Sequence, residues 1–373
     1  MRLREKILFI TPSSSISPAG GRAQLSRLHR EALSALLSDS CLVEEIDRTP
    51  VSGLRAALRA LAGYIDGISP RSIESVVRKI RTESVSKVYI DGSNFGSLAR
   101  AIRASCDEVE IYTFFHNCEA RFFWGALRQC FTLRALGVLW ANYVAERRAV
   151  RFSNKLVCLC DRDSRMLLKL YGRAATDVAP MTVHDLLPAG AESGEIVADE
   201  EYALFVGGAF YANRAGIAWF AEHVAPHVRI KTNVVGMGFE LFKQQLERYD
   251  NVKVIGGVET LAPWYLGARL VIAPIFDGSG MKTKVAEALM FGKPVIGTPE
   301  AFVGYEDTYG ASRAACRTAT DFVRAIEKEL GEKRPAFDRD LRRIYEEHYS
   351  ASAAQDRLAA ILGIRDSHSS ARS

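Results

Sequence analysis

The sequence predicts an α/β protein of two doubly wound, Rossmann-like domains with parallel sheets. Three observations lead there. Short apolar runs alternate with stretches of helical periodicity along almost all of the 373 residues, and strands separated by helices imply parallel sheets covered on both faces. The alternation occurs twice, in blocks of about 170 residues, a usual domain size. Between the blocks, Pro180, Pro188 and the Gly-, Glu- and Ser-rich stretch 189–199 mark a join.

In the first block Ile7–Thr11 reads as a strand, Pro12–Gly21 as a Ser-, Pro- and Gly-rich loop, and Ala23–Leu37 as a helix. Val88–Ile90, Val109–Phe115 and Leu156–Leu159 are further strands. Residues 119–150 read as one or two long helices, and Arg162–Tyr171 as a helix with Asp161 as its N-cap. The second block gives strands at Tyr202–Val206, Thr232–Val235, Val252–Ile255, 270–275 and 295–298. Helices are expected at Asn213–His223, Glu240–Arg248 and 281–291. The domains expected are 1–185, 186–345 and a C-terminal helix in 346–373 that crosses back to the first, with a disordered tail from Asp366.

Composition narrows the class. With 48% apolar and 25% charged residues the chain is an ordinary globular one. Ile7–Ile10 is too short for the apolar core of a signal peptide, and no apolar stretch is long enough to span a bilayer. The seven scattered cysteines suit reduced thiols and a cytoplasmic setting rather than a disulfide framework. The net charge of +5 is uneven: residues 1–185 hold 27 basic and 19 acidic residues, leaving 22 and 25 for 186–373. Two accounts stand side by side, different partners for the halves or simple drift of surface composition.

The most informative segment is Phe276–Gly292, FDGSGMKTKVAEALMFG. An apolar strand runs into a Gly-Ser-Gly turn, and a helix opens there with Lys282, Lys284 and Glu287. A glycine-lined helix N-terminus beside lysines suits a diphosphate, and a carboxylate a turn further on suits sugar hydroxyls. Ligands of open α/β sheets sit at the carboxyl ends of the strands. Four such exits carry suitable residues: Pro12–Gly21, Phe114–Glu119, Gly207–Asn213 and Phe276–Lys284.

The segments LFVGGAFYANRAGIAWF, VVGMG, VKVIGGVETLAPWYLGARLVIAP and GSGMKTKVAEALMFGKPVIGT together resemble, in order and spacing, GT-B glycosyltransferases of group 1, family GT4. The likeness is strong over 202–306 and weaker before 180, where SPAGG and FFHNCE fall at the corresponding strand exits. It implies two facing Rossmann-like domains, an interdomain cleft, and transfer of a sugar from a nucleotide-diphosphate donor, retaining and metal-independent, with the nucleotide-sugar as co-substrate and no other cofactor. The acceptor implied is a glycan or lipid-linked sugar, as in surface polysaccharide or glycoconjugate synthesis, and no nucleic acid is expected.

The resemblance also implies roles. Lys282 and Lys284 would neutralise the leaving diphosphate, and His116 would face the donor as the third catalytic residue. Donor-binding positions are Gly208, Asn213, Gly236, Val258, Gly278, Ser279, Gly280, Met281, Thr283 and Glu287. Gly20, Gly21, Asn117 and Glu119 would line the acceptor-side loops. Glu287 matches the second Glu of the family's E-x7-E signature, but the first falls on Ser279, a departure that leaves carboxylate recognition of the donor sugar open. Tyr265 reads equally as core or as a neighbour of the base.

Other motifs fail. Asp161-Arg162-Asp163 spells a metal-binding D-x-D, yet its strand-to-helix setting favours capping. Met281 stands where a P-loop needs glycine, and no G-x-G-x-x-G follows the first strand, which disfavours an oxidoreductase. Residues 121–155 combine Arg121, Arg128, Arg134, Arg147, Arg148, Arg151 and Lys155 with Phe122, Phe123, Trp124, Phe131, Trp140 and Tyr143. Two readings stand open: a peripheral contact with an anionic membrane at its inner face, or a helix pair packed on the sheet with arginines outward. The alternative function is a non-catalytic GT-B partner of another transferase.

Overall fold

A computed structural model of the chain describes residues 5–13, 21–48, 52–129, 131–193, 201–309 and 314–364. Two compact units emerge, one ending at Pro180 and resumed from Ala354, the other running from Met181 to Ala353.

The first unit alternates regularly: β1 (Ile7–Pro12), α1 (Gly21–Leu37), β2 (Cys41–Ile46), α2 (Leu54–Leu61), α3 (Pro70–Thr82), β3 (Lys87–Asp91), α4 (Gly96–Ser105) and β4 (Glu110–Phe115). It continues with α5 (Glu119–Gln129), α6 (Leu133–Phe152), β5 (Lys155–Cys158), α7 (Asp161–Tyr171) and β6 (Asp177–Val178). All pairings are parallel, in the order β2-β1-β3-β4-β5-β6. The order reverses between β1 and β3, so the exits of those two strands, with that of β4 beside them, are where such a sheet takes a ligand. The central strands are buried along almost their whole length and mostly apolar, because helices cover both faces.

The second unit holds β7 (Tyr202–Val206), α8 (Tyr211–His223), β8 (Lys231–Val235), α9 (Lys243–Leu246), β9 (Val252–Gly256), α10 (Ala262–Gly267) and β10 (Ala268–Ala273). Then come α11 (Thr283–Met290), β11 (Val295–Gly297), α12 (Glu306–Tyr309), β12 (Ala314–Ala315), α13 (Ala319–Gly331) and α14 (Arg339–His348); the last helix, α15 (Ala351–Leu362), belongs to the first unit from Ala354 on. The second unit's order, β9-β8-β7-β10-β11-β12, is the Rossmann order with the switch point between β7 and β10. Within the first unit, Lys87 Nζ donates to the carbonyl of Leu362 at 2.9 Å and fastens the end of α15.

Three expectations need correction. The helix placed at Glu240–Arg248 is a 3₁₀ turn, Phe239–Phe242, followed by the single turn α9. Glu240 does not serve a helix; its carboxylate accepts from Gly238 N and Gly257 N at 2.7 and 2.5 Å. Asp161 is not an N-cap. Cys160 holds that position without a side-chain cap, and Asp161 and Asp163 lie in the first turn, where carboxylates complement the helix dipole. Asn213 is not the start of its helix, which opens at Tyr211. The expected tail from Asp366 lies outside the described residues.

The elements expected from sequence also leave out β2, β6 and β12, and α2, α3, α4, α12, α13 and α14. Two of these carried a legible signal: Ser69 with Ser72 and Thr318 with Asp321 form capping boxes at the starts of α3 and α13. The edge strand β2 is only half-buried and carries two glutamates, which weakens its apolar pattern.

Candidate active site

At the switch point of the second sheet, β7 and β10 both run into helices whose N-termini have no side-chain cap. Uncapped backbone N–H groups and two helix dipoles therefore converge on one end of the sheet, which favours negative charge there. The turns are close-packed. A Cβ at Gly236, in the exit of β8, would lie 1.9 Å from the carbonyl oxygen of Gly207, so only glycine lets the exits of β7 and β8 touch. Gly278 and Gly280 have φ of 141° and 64°, and fold the exit of β10 back toward α11.

A polar chain ties these turns together. Asn213 Nδ2 donates to the carbonyl of Gly208 at 2.8 Å, and Asn213 Oδ1 accepts from Lys284 Nζ at 3.0 Å. The ammonium of Lys284 is buried and lies 4.1 Å from the centroid of the Phe205 ring. Burial pushes its pKa down to about 7, with Glu287 opposing and Lys282 adding to the shift. Glu287, one turn on, is buried and accepts from Tyr265 OH at 2.7 Å. Burial raises its carboxyl above the usual range, against that hydrogen bond and the Lys284 charge. Tyr265 is wholly buried and stacks on Phe291 at 4.9 Å, so it is a core residue that orients Glu287.

Lys282 is the N-cap residue of α11 rather than part of its first turn. Its Nζ lies 3.1 Å from Glu300 Oε1 and donates to the carbonyl of Gly280 at 3.0 Å. Thr283 opens the helix, and Ser279 lies in the turn before it. Met281 is buried, its sulfur 3.3 Å from the Met181 amide. Val258 follows β9, at the far edge of the sheet from β10, with Gly257 held by Glu240. Glu240 and Glu300, which sequence reasoning missed, are lone carboxylates outside any motif.

The first unit gathers a second set. His116, at the exit of β4, is buried, and its Nε2 lies 2.7 Å from Asp91 Oδ1 at the end of β3. Thr11 Oγ1 donates to Asp91 Oδ2 at 2.9 Å. Burial works to raise the Asp91 carboxyl, but His116, His29 and its hydrogen bonds outweigh it and hold it below the usual range. Burial holds the His116 imidazole below its usual pKa, against the attraction of Asp91. Neutral His116 therefore donates from Nε2 to ionised Asp91, leaving Nδ1 as a buried acceptor with no partner among the described residues. Asp91 was missed because its partner is 25 residues away in sequence.

Glu119 is buried at the start of α5, 3.7 Å from Arg22, with its carboxyl raised by burial against the charge of Arg22. Asn117 hydrogen-bonds the same carboxylate. Gly21 opens α1, while Gly20 lies outside the described residues. Glu146 on α6, also missed, is buried and accepts from the Glu119 and Ala120 amides at 2.9 and 3.2 Å and from Tyr171 OH at 2.5 Å. It caps α5 from another helix, and burial raises its pKa to about 7.

Among the described residues no group of three or more His, Cys, Asp or Glu side chains is gathered as a metal site, and no helix is long and apolar enough to cross a membrane.

Residues 200–331 match the model of the family described as glycosyl transferases group 1. No curated protein matches the chain. Among solved structures it is similar to sucrose-phosphate synthase from Thermosynechococcus elongatus, with a TM-score of 0.70 and 16% identity over 96% of this chain and 98% of that one. HepE from Anabaena, solved with UDP and glucose, gives a TM-score of 0.66 and 15% identity over 97% and 100% of the two chains. WaaG, a glycosyltransferase involved in lipopolysaccharide biosynthesis, gives 0.63 and 16% over 96% and 100%. At such identities these likenesses establish the fold, GT-B with two Rossmann-like domains.

Proposed function

We propose that this chain, a GT-B protein whose residues 200–331 form a group 1 glycosyltransferase domain, transfers a sugar from a nucleoside-diphosphate donor to a glycan or lipid-linked acceptor with retention and without a metal. The observation that carries the reading is the pair of uncapped helix N-termini at the β7/β10 switch point, bridged by Lys284 and Asn213. HepE, a structural neighbour, has been solved with UDP and with UDP-glucose.

In the proposed step the bond from the anomeric carbon to the diphosphate oxygen breaks, and its electron pair stays on the diphosphate. The acceptor hydroxyl attacks from the same face and its proton passes to the departing phosphate oxygen. The helix dipoles, Lys282 and Lys284 stabilise the charge that develops. Lys282 first exchanges Glu300 for the diphosphate. Glu287, fixed by Tyr265, holds donor hydroxyls. His116 presents Nδ1 as an acceptor, which suits a sugar hydroxyl rather than a phosphate oxygen.

A peripheral membrane contact of residues 121–155 is supported by an uneven split of α6. Ala141, Ala145 and Ala149 are buried, while Leu133 and Trp140 are 82% and 53% exposed and Trp124 on α5 is 55% exposed. The neighbouring α2, which contacts α6, has no buried residue and no acidic one; it adds Leu54 and Leu58 to the apolar face and Arg55 and Arg59 to the charge.

Thermal-shift titration with UDP, GDP, ADP, CMP and NAD tests the central reading. Stabilisation by one nucleoside diphosphate, lost in Lys282→Ala/Glu287→Ala, is expected. Stabilisation by NAD alone would overturn it. Binding of the nucleotide without turnover of any nucleotide-sugar would favour the non-catalytic partner reading.

A further inference from the structure

The first unit holds a cluster of buried polar atoms that its own contacts do not satisfy. They belong to residues at the exits of four adjacent strands: Arg22 after β1, Arg48 after β2, Asn94 after β3 and His116 after β4. Arg22 Nη2, Arg48 Nε and Nη2, Asn94 Oδ1 and His116 Nδ1 are all buried and have no hydrogen-bond partner among the described residues. Native proteins rarely leave such groups unpaired, and five converging on one sheet's switch point call for a ligand.

The chemistry of the set defines the ligand. Nε and Nη2 of Arg48 are the two parallel donors of one guanidinium edge, the fork that grips a carboxylate or phosphate bidentately. The nearby carboxylates balance charge without occupying these donors. Asp66 lies 3.8 Å from Arg48, and Glu119 lies 3.7 Å from Arg22, both beyond hydrogen-bond length. Asp66 is engaged by Asn94, whose Nδ2 donates to it at 2.5 Å. That bond fixes the amide orientation and leaves Oδ1 as an acceptor. Gly92 makes room: a Cβ there would stand 2.8 Å from Arg22 Nη2. The set therefore offers donors to an oxyanion on one side and acceptors to hydroxyls on the other.

We propose that this cluster is the acceptor subsite and that the acceptor is a hydroxylated molecule carrying an oxyanion, phosphate or carboxylate, bound by Arg48 and Arg22, with hydroxyls donating to Asn94 and His116. The assignment as acceptor rests on the glycosyltransferase reading; the oxyanion site does not.

The test is calorimetric titration of the full chain with inorganic phosphate, glucose 6-phosphate and glucuronate, and cosedimentation with vesicles containing phosphatidylglycerol. The variants are Arg48→Gln, Arg48→Lys and Lys282→Ala, each checked for an unchanged circular dichroism spectrum. Binding of glucose 6-phosphate or glucuronate is expected, weakened at least tenfold by Arg48→Gln and also by Arg48→Lys, which keeps the charge but loses the fork. Lys282→Ala should leave it unchanged. Vesicle binding lost with Arg48 in place of soluble-ligand binding would assign the oxyanion to a lipid headgroup and still support the site. No binding of any probe, or binding lost only in Lys282→Ala, would overturn the proposal. Nucleoside-diphosphate binding measured in the same preparation reads the donor site separately, so either reading can fail alone.

Discussion

Donor binding should take up a proton at Lys284, and the amount can be worked from the burial of that ammonium. With its pKa pushed down to about 7, roughly one tenth of the free protein carries the charge at pH 8. A diphosphate beside it supplies the negative partner that Asn213 Oδ1, its one hydrogen-bonding side chain among the described residues, does not. If the bound lysine returns toward its ordinary value near 10.4, about 0.9 proton is taken up per nucleotide at pH 8. Affinity should then fall about tenfold per pH unit from 7 to 9 and be flat below about 6 from this group. The same shift affects the free protein. The native lysine releases its proton well before the unfolded one, so its burial costs stability as pH falls from 10.4 toward 7, and the cost is constant below. Calorimetry at pH 8 in two buffers of different ionisation enthalpy reads the proton count. Lys284→Met should abolish the uptake and melt higher than the parent at pH 6 by more than at pH 9. Tight nucleotide binding with less than about 0.2 proton taken up, or equal uptake in the variant, would refute the reasoning.

Four further outcomes follow from the same geometry. Lys282→Ala should lower turnover at least ~100-fold with the melting temperature little changed, and Glu300→Gln should alter kcat less than that because it frees the lysine rather than removing it; steady-state kinetics decides. Asp91→Asn should leave His116 with Nε2 facing an amide, so kcat falls while circular dichroism is unchanged. Glu146→Ala leaves the Glu119 and Ala120 amides and Tyr171 OH without their buried acceptor; urea denaturation should show a loss of about 2–4 kcal/mol. Replacing Trp124, Leu133 and Trp140 together by serine should abolish binding to anionic vesicles without loss of stability, since all three are exposed; retention on vesicles would remove the membrane contact.

The alternation of strand and helix was legible in the sequence because parallel strands buried on both faces are nearly continuous apolar runs, as at Phe9, Val88, Phe205 and Ile272. The Gly-Ser-Gly turn and Lys282, Lys284 and Glu287 were legible because they lie within ten residues of one another, on one strand exit and the helix after it. What is half-exposed was harder to read: β2 mixes glutamates with its apolar residues, and α2 turns its leucines to solvent. Tertiary structure alone decided the strand order, and with it which exits adjoin: β7 with β10 in one sheet, β1 with β3 in the other. It also decided the partners that set the chemistry. Asn213 meets Lys284 across 71 residues, His116 meets Asp91 across 25, and Glu146 caps a helix 27 residues before it. Such pairings carry no local signal. A sequence pattern records which face of an element is buried, whereas the burial that shifts a lysine or leaves an arginine fork unsatisfied is a property of the neighbours that the fold brings in.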